Sequence, residues 1–174
     1  MSLFAFLPFL FADETPRNVF ELQMMSLENH GITLQYERLA APPRISVLTA
    51  LGFRLSGGHD YDVVEMDYGV EGRLWLVGKA PFVTFSDRTM IGPYLGVRFD
   101  TGLTHVSADG HSLGGNIRLA ESGNLGIRVV FFKLLEVTPS LGFGLHTDFD
   151  PRGRLSPWTR PELVKLGLTM GALF

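Results

Sequence analysis

Several features are missing from the 174-residue sequence, and each absence excludes a class of structure or partner. There is no cysteine, which excludes disulfide bonds and thiolate metal sites. No apolar run reaches the roughly 18 residues of a membrane-spanning helix, which excludes helical membrane spans. Lysine and arginine form no run and the net charge is −3, which argues against a nucleic-acid partner. No phosphate-binding glycine loop is present, and we expect neither a cofactor nor a metal ion.

The composition is that of a folded chain with much apolar surface. Apolar residues make up 45% of the sequence and charged residues 19%, with 20 glycines and 14 phenylalanines. This content argues against disorder, and the length fits a single domain. The longest apolar run, residues 1–12, is shorter than the roughly 20 residues that a helical span needs. We expect residues 1–12 to be a signal peptide and residues 13–174 to form one β-barrel domain, for which the pattern below is the evidence.

Apolar and polar residues alternate along most of the chain, with the period of a β-strand. In the last such segment Leu166, Leu168 and Met170 alternate with Gly167 and Thr169. The alternating segments are residues 18–25, 31–39, 44–55, 65–76, 91–104, 124–131, 135–149 and 165–174. Antiparallel strands joined in chain order can close into a barrel without exposed edges. The sequence therefore predicts an all-β fold, an eight-stranded antiparallel up-and-down barrel.

Alternation alone does not say whether the apolar face points inward or outward. A soluble lipocalin-like barrel turns it inward around a lipid ligand, and that alternative stays open. The apolar face continues over most of each segment, close to the roughly 9–11 residues of a tilted membrane strand. The other face mixes Gly, Ser and Thr with charges of both signs, which suits the narrow interior of an eight-stranded barrel. The chain also ends on Phe174, and a terminal aromatic residue is typical of outer-membrane barrels. These features favour a transmembrane barrel.

Two stretches resemble a family of small eight-stranded outer-membrane β-barrels. One is the early strand GITLQYERL, and the other is GKAP at residues 78–81 followed by GPYLG at residues 92–96. The resemblance implies the fold and a location in the bacterial outer membrane, and it implies no activity. With both chain ends in the periplasm, alternate connections face outside. We therefore expect outside loops at residues 26–30, 57–61, 107–122 and 150–161, and periplasmic connections at residues 40–43, 77–90 and 133–134.

Charged residues on the polar face predict what fills the barrel interior. A charge that faces lipid is costly, so the alternation places these residues inside, where opposite charges can pair. The predicted lumen charge network consists of Glu37, Glu71, Arg73, Arg98, Asp100, Arg128 and Glu136. Such a network could line a gated pore, or it could form a salt-bridged plug that excludes water. Because side chains normally fill an eight-stranded barrel, we favour the plug.

An enzymatic alternative comes from a resemblance to lipid A deacylases, which are acyl hydrolases built on small outer-membrane barrels. Those enzymes carry His-x-Ser-Asn before an outside loop and a glutamate beyond it, and the serine attacks an ester while the histidine takes its proton. Here His105 and Ser107 precede a predicted outside loop, and Glu121 follows, although Asn is missing. The last hairpin has a similar order without the serine, in His146, Asp148 and Glu162. The candidate catalytic residues are His105, Ser107 and Glu121.

The expected function is non-enzymatic. The barrel would act in membrane integrity, adhesion or the docking of a partner through its outside loops. Its partners would be outer-membrane lipid and lipopolysaccharide, and another envelope protein. Aromatic residues near strand ends are expected at the two membrane interfaces, namely Trp75, Trp158, Tyr61 and Tyr68.

Overall fold

The computed structural model describes residues 18–26, 31–40, 44–57, 62–76, 83–86, 89–109, 111–149 and 155–174. The expected signal peptide lies outside them. These stretches contain nine strands: β1 (Asn18–Ser26), β2 (Ile32–Ala40), β3 (Ile45–Gly57), β4 (Asp62–Trp75), β5 (Val83–Ser86), β6 (Thr89–Ala108), β7 (His111–Phe131), β8 (Leu135–Phe149) and β9 (Leu155–Leu173). The described stretches contain no helix that could span a bilayer.

Eight of these strands form a closed antiparallel barrel. Strands adjacent in the chain pair with each other except for β4 and β5; β4 pairs with β6 instead, and β1 pairs with β9 to close the ring. At the closing seam Leu22 lies opposite Met170, and between β4 and β6 Val70 lies opposite Phe99. Strand β5 stands outside the ring, because it pairs with the first residues of β6. The predicted all-β, eight-stranded up-and-down barrel is confirmed.

One end of the barrel, which we call the near end, is where β1 begins at Asn18 and β9 ends at Leu173. Strands β7 and β8 are joined there by a tight turn. Phe132 and Lys133 adopt positive φ angles of 55° and 58°, the backbone that a two-residue hairpin requires. The expected short connection at residues 133–134 is thus part of this turn.

The opposite end, the far end, carries the hairpin between β6 and β7. Strand β6 continues to Ala108 and β7 begins at His111, so the expected outside loop at residues 107–122 is wrong and is mostly strand. Asp109 takes a positive φ of 50° at the connection. The segment is polar and rich in glycine, which suggested a loop, but a paired strand beyond the apolar surface needs no apolar face. Strand β9 likewise begins at Leu155, inside the expected loop at residues 150–161.

The expected periplasmic connection at residues 77–90 contains a short hairpin. Strand β5 pairs with the start of β6, with Val83 opposite Ile91. Residues 77–82 and 87–88 lie outside the described residues. The additional hairpin is the reason why this connection is longer than a turn.

The barrel wall is apolar outside and polar inside. The outward side chains form what we call the apolar belt, which includes Leu34, Leu51, Met66, Val97, Phe99, Leu119, Leu125, Phe143, Leu166 and Met170. Phe99 is 60% exposed, whereas the inward Glu37 and Arg128 are fully buried. A soluble lipid-binding barrel requires the reverse arrangement, with the apolar face around the ligand. The lipocalin-like alternative is therefore wrong.

Candidate functional site in the barrel lumen

Six buried charged side chains meet in the near half of the lumen. We call them the charge cluster: Glu21, Glu37, Glu71, Arg73, Arg128 and Glu136. They come from inward positions on β1, β2, β4, β7 and β8, and none is more than 3% exposed. A charge buried alone in this way is strongly unfavourable, so the cluster depends on pairing among its members.

The guanidinium group of Arg73 joins three of the carboxylates. Its Nε donates to Glu71 Oε1 at 2.9 Å, and its Nη1 donates to Glu37 Oε2 at 2.7 Å and to Glu21 Oε1 at 3.3 Å. Glu71 precedes Arg73 by two residues on β4, so both side chains lie on the inner face. These charge-assisted hydrogen bonds are stronger than neutral ones, and they tie β1, β2 and β4 together across the lumen.

Arg128 holds the cluster from the other side of the barrel. Its Nη2 donates to the same two oxygens, Glu21 Oε1 and Glu37 Oε2, and its Nε lies 2.6 Å from Glu136 Oε2. The hydroxyl of Ser46 on β3 donates to the second oxygen of Glu37. Because both arginines share Glu21 and Glu37, the six charges form one network rather than separate pairs.

Two buried aromatic residues, Trp75 and Tyr94, lie against the cluster toward the near end, and we call them the aromatic plug. Their ring centroids are 5.3 Å apart. The guanidinium carbon of Arg73 lies 4.5 Å from the Tyr94 centroid, and that of Arg128 lies 4.9 Å from the Trp75 ring. Both distances are in the range of cation–π attraction. The indole Nε1 of Trp75 also donates to Ser46 Oγ at 3.0 Å, so the plug is bonded to the cluster.

Apolar side chains complete the closure of the near end. They are Val19, Val130 and Leu173, with Leu39 and Met90 packed against them. The expectation that Trp75 lies at a membrane interface is wrong. Trp75 follows Arg73 by two residues on β4 and therefore shares its inward face. Tyr68 does point outward, while Tyr61 and the side chain of Trp158 lie outside what the structure describes.

A second group of charges lies nearer the far end. Arg118 Nη1 donates to Glu65 Oε1 at 3.0 Å, and its Nε donates to Asp148 Oδ1 at 3.1 Å. Arg54 donates to the other oxygen of Glu65. Glu65 is 1% exposed but the Arg118 side chain is 30% exposed, so this group lies where buried lumen meets water.

A cavity of about 140 Å³ separates the two charged groups. Its lining is polar and includes Gln23, Thr33, Gln35, Asp67, Arg98 and Asn124, and Glu71 and Arg73 of the charge cluster also reach it. Arg98 Nε donates to Asp100 Oδ1 at 2.7 Å within it. A polar space of this size holds several water molecules. The far half of the lumen is thus a polar vestibule, and the charge cluster and aromatic plug lie between it and the near end.

The structure places all seven residues of the predicted lumen network inside the barrel. Five of them belong to the charge cluster, while Arg98 and Asp100 form a separate pair beside the cavity. The prediction omitted Glu21, Glu65, Arg54, Arg118 and Asp148. Glu21 could have been found from its own segment, because it alternates with Phe20 and Leu22. The partners of each charge depend on strand register, which alternation does not give.

The three candidate catalytic residues do not come together. Glu121 lies opposite Phe99 on β6, whereas His105 is six positions further along that strand. At about 3.3 Å per residue the separation is roughly 20 Å, far beyond a hydrogen bond. Ser107 lies opposite Ser112, beyond a bulge. In the last hairpin His146 Nε2 is 3.7 Å from Asp148 Oδ2 inside the barrel. Among the described residues, no group of three or more His, Asp or Glu is arranged to hold a metal ion.

Comparisons with known proteins add evidence on the fold. No protein-family model matches the sequence, and no curated protein matches it either. Three solved structures are similar in shape. The N-terminal β-barrel domain of OprF from Pseudomonas aeruginosa has a TM-score of 0.55 at 11% identity, covering 92% of this chain and all of that one. Neisserial surface protein A has a TM-score of 0.52 at 11% identity, covering 90% of this chain and 93% of that one. A major outer membrane protein from Thermus thermophilus has a TM-score of 0.51 at 14% identity, covering 92% of this chain and 99% of that one. The expected resemblance to small outer-membrane barrels is confirmed at the level of the fold.

Proposed function

We propose that this chain is a non-enzymatic outer-membrane barrel with a closed lumen, acting in membrane integrity, adhesion or partner docking through its far end. The observation that carries the proposal is the combination of an apolar belt outside with a buried charge cluster inside. The similar solved structures include a major outer membrane protein, which supports the same location.

The apolar belt supports a lipid environment. Large side chains such as Leu51, Phe99 and Leu103 are each more than half exposed, and they recur on the strands around the barrel. Soluble monomers rarely expose contiguous apolar patches beyond a few hundred Å². Lipid removes the cost of this exposure, and a closed barrel satisfies every backbone hydrogen bond within the bilayer.

The buried cluster supports a closed lumen. Glu37, Arg73 and Arg128 cross-link the wall, and Trp75 fills the space toward the near end. A water-filled pore would leave these charges hydrated, whereas all of them are almost inaccessible. We therefore expect the folded barrel to block ion flow.

The far end is the proposed docking surface. Strands β6 and β7 have 20 and 21 residues. At about 3.3 Å per residue and a tilt near 40°, they rise roughly 50 Å, twice the roughly 25 Å apolar band of such barrels. Ile117 is the first residue of β7 with a partner on β8. From there to the far end the hairpin is mostly polar and includes Ser107, Asp109, His111 and Asn116. Lipopolysaccharide or an envelope protein is the proposed partner of this hairpin.

The test begins with cell fractionation and a gel-mobility assay. We expect the chain in the outer-membrane fraction, and we expect unboiled protein to migrate differently from boiled protein because a closed barrel resists detergent. In planar bilayers the purified barrel should give no steady conductance. Recovery in the soluble fraction would contradict the location, and a steady ohmic conductance would contradict the closed lumen.

Docking needs its own control. A variant in which residues 107–112 are replaced by a two-residue turn should keep the mobility shift but lose binding to lipopolysaccharide-containing vesicles or to envelope extract. Unchanged binding to both would contradict docking through this hairpin.

A further inference from the structure

The charge cluster contains more negative than positive groups. It holds four carboxylates and two guanidinium groups, so full ionisation would leave two uncompensated negative charges. Among the side chains that the structure describes, the other strands contribute no cation to it: β6 contributes the phenol of Tyr94, β3 the hydroxyl of Ser46, and β9 the small residues Thr169 and Gly171. Uncompensated charge out of contact with water is strongly unfavourable. The cluster must therefore gain positive charge.

The surplus of negative charge is located at two neighbouring carboxylates, Glu21 and Glu136. Gly171 on β9 lies opposite Glu21 on one side and opposite Glu136 on the other. A Cβ at Gly171 would lie 2.9 Å from Glu136 Oε1 and 3.0 Å from Glu21 Cα. Glycine leaves this space open, and both carboxyl groups contact the same guanidinium group, Glu21 Oε1 at Arg128 Nη2 and Glu136 Oε2 at Arg128 Nε, so the two carboxyl groups lie side by side. Within the described part of the chain, no nitrogen or hydroxyl donor reaches Glu21 Oε2 or Glu136 Oε1.

We propose that Glu21 and Glu136 form a carboxyl pair that binds one proton, shared between Glu21 Oε2 and Glu136 Oε1. The O–H of one carboxyl donates to the other, which removes one negative charge and satisfies a buried acceptor. Two adjacent buried carboxylates do not both ionise readily. A metal ion is a poorer occupant, because neither residue lines the cavity and both are at most 1% exposed.

The other two carboxylates of the cluster do not need the proton. Glu37 accepts from Arg73, Arg128 and Ser46. Glu71 accepts from Arg73 Nε and lines the polar cavity, away from the Glu21 and Glu136 pair. The inference concerns the cluster alone and goes beyond the proposed function, since it holds for the folded barrel whether or not the lumen conducts.

The direct test is infrared spectroscopy of the folded full-length chain in detergent micelles. At pH 8, where isolated carboxyl groups are ionised, the wild type should still show the C=O stretch of a protonated carboxylic acid, shifted in D₂O. Glu136→Gln and Glu21→Gln should each abolish this band, because the remaining carboxylate ionises opposite an arginine. Glu71→Gln is the matched control and should keep the band.

The pair also predicts how stability depends on pH. Unfolded glutamates are ionised above pH 7, so the folded barrel holds one more proton and becomes less stable as pH rises. When that proton is lost on unfolding, the unfolding equilibrium constant should rise about tenfold per pH unit between pH 7 and 9. Glu136→Gln should make this dependence flat, and Glu71→Gln should retain it. A wild type without the band, a band that survives in both Gln variants, or stability that follows sodium or potassium concentration instead of pH would overturn the proposal.

Discussion

Arg128→Met removes a cation from the centre of the charge cluster while keeping a long, unbranched side chain. In the native barrel this guanidinium contacts Glu21, Glu37 and Glu136 and lies over Trp75. The variant leaves four carboxylates around Arg73 alone. Breaking a buried ion pair by removing one partner typically costs about 3–5 kcal/mol, because the other charge stays buried and uncompensated. We expect a loss of unfolding free energy of at least this size, since one residue serves three carboxylates.

The assay is urea-dependent unfolding of the barrel in lipid vesicles, followed by the gel-mobility shift and by tryptophan fluorescence. Arg38→Met is the matched control, because Arg38 is an exposed arginine on β2, and it should leave the unfolding midpoint unchanged. Adding Glu21→Gln and Glu136→Gln to Arg128→Met should recover part of the lost stability by removing the uncompensated charges. Unfolding of Arg128→Met at the wild-type midpoint, or a triple variant that is less stable still, would contradict the role of Arg128 in compensating the buried carboxylates.

Three further substitutions test the plug and the wall by the same urea measurement. Trp75→Phe removes an indole N–H bonded to a buried hydroxyl and should cost about 0.5–1.5 kcal/mol, and a wild-type midpoint would contradict that bond. Gly126→Ala places a Cβ against the ring of Tyr94 and should lower the unfolding free energy by about 1–3 kcal/mol. Gly123→Ala should be tolerated, because a Cβ there has nothing within 4 Å. Phe99→Arg in the apolar belt should cost about 2–4 kcal/mol, and Asn116→Arg on the far hairpin much less. Equal losses of unfolding free energy in the two glycine variants, or in the two arginine variants, would argue against the positions assigned to these residues.

The barrel could be predicted from sequence because its wall imposes a strict period of two. Leu166, Leu168 and Met170 share one face of β9 in the sequence pattern and point outward in the structure. The same alternation of faces placed Arg73 and Arg128 inside the barrel. One face of each strand is apolar and outward, and the other is packed inside the lumen. A register shift of one residue would turn every inward charge outward, so the alternating pattern specifies the register strongly.

The partners within the lumen could not be predicted in the same way. Glu21 and Glu136 are far apart in the chain and meet only because Gly171 lies between them in the register of β1, β9 and β8. Parity gives the face of a residue but not its height along the barrel axis. It therefore grouped Arg98 with Arg128, although the structure places Arg98 beside the cavity and Arg128 in the charge cluster.

Strand ends were the least predictable feature. Within residues 107–122 the large apolar residues are Leu113, Ile117 and Leu119, too few for a clear alternating pattern, yet β6 and β7 pair through most of this range. Hydrogen bonding between neighbouring backbones continues where alternation stops, because water tolerates polar side chains on both faces. Trp75 was misplaced for a related reason, since its position near a strand end suggested an interface while its parity with Arg73 indicated the lumen.

The orientation of the barrel wall can be measured directly, because the sequence contains no cysteine and single cysteines can be introduced for labelling. Single cysteines at Val97, in the apolar belt, and at Asn124, on the cavity wall, would each carry a nitroxide spin label in lipid vesicles. We expect the label at residue 97 to collide mainly with oxygen dissolved in lipid, and the label at residue 124 to collide mainly with a water-soluble nickel complex. The reverse pattern would contradict a barrel whose apolar face contacts lipid and whose polar face encloses the lumen.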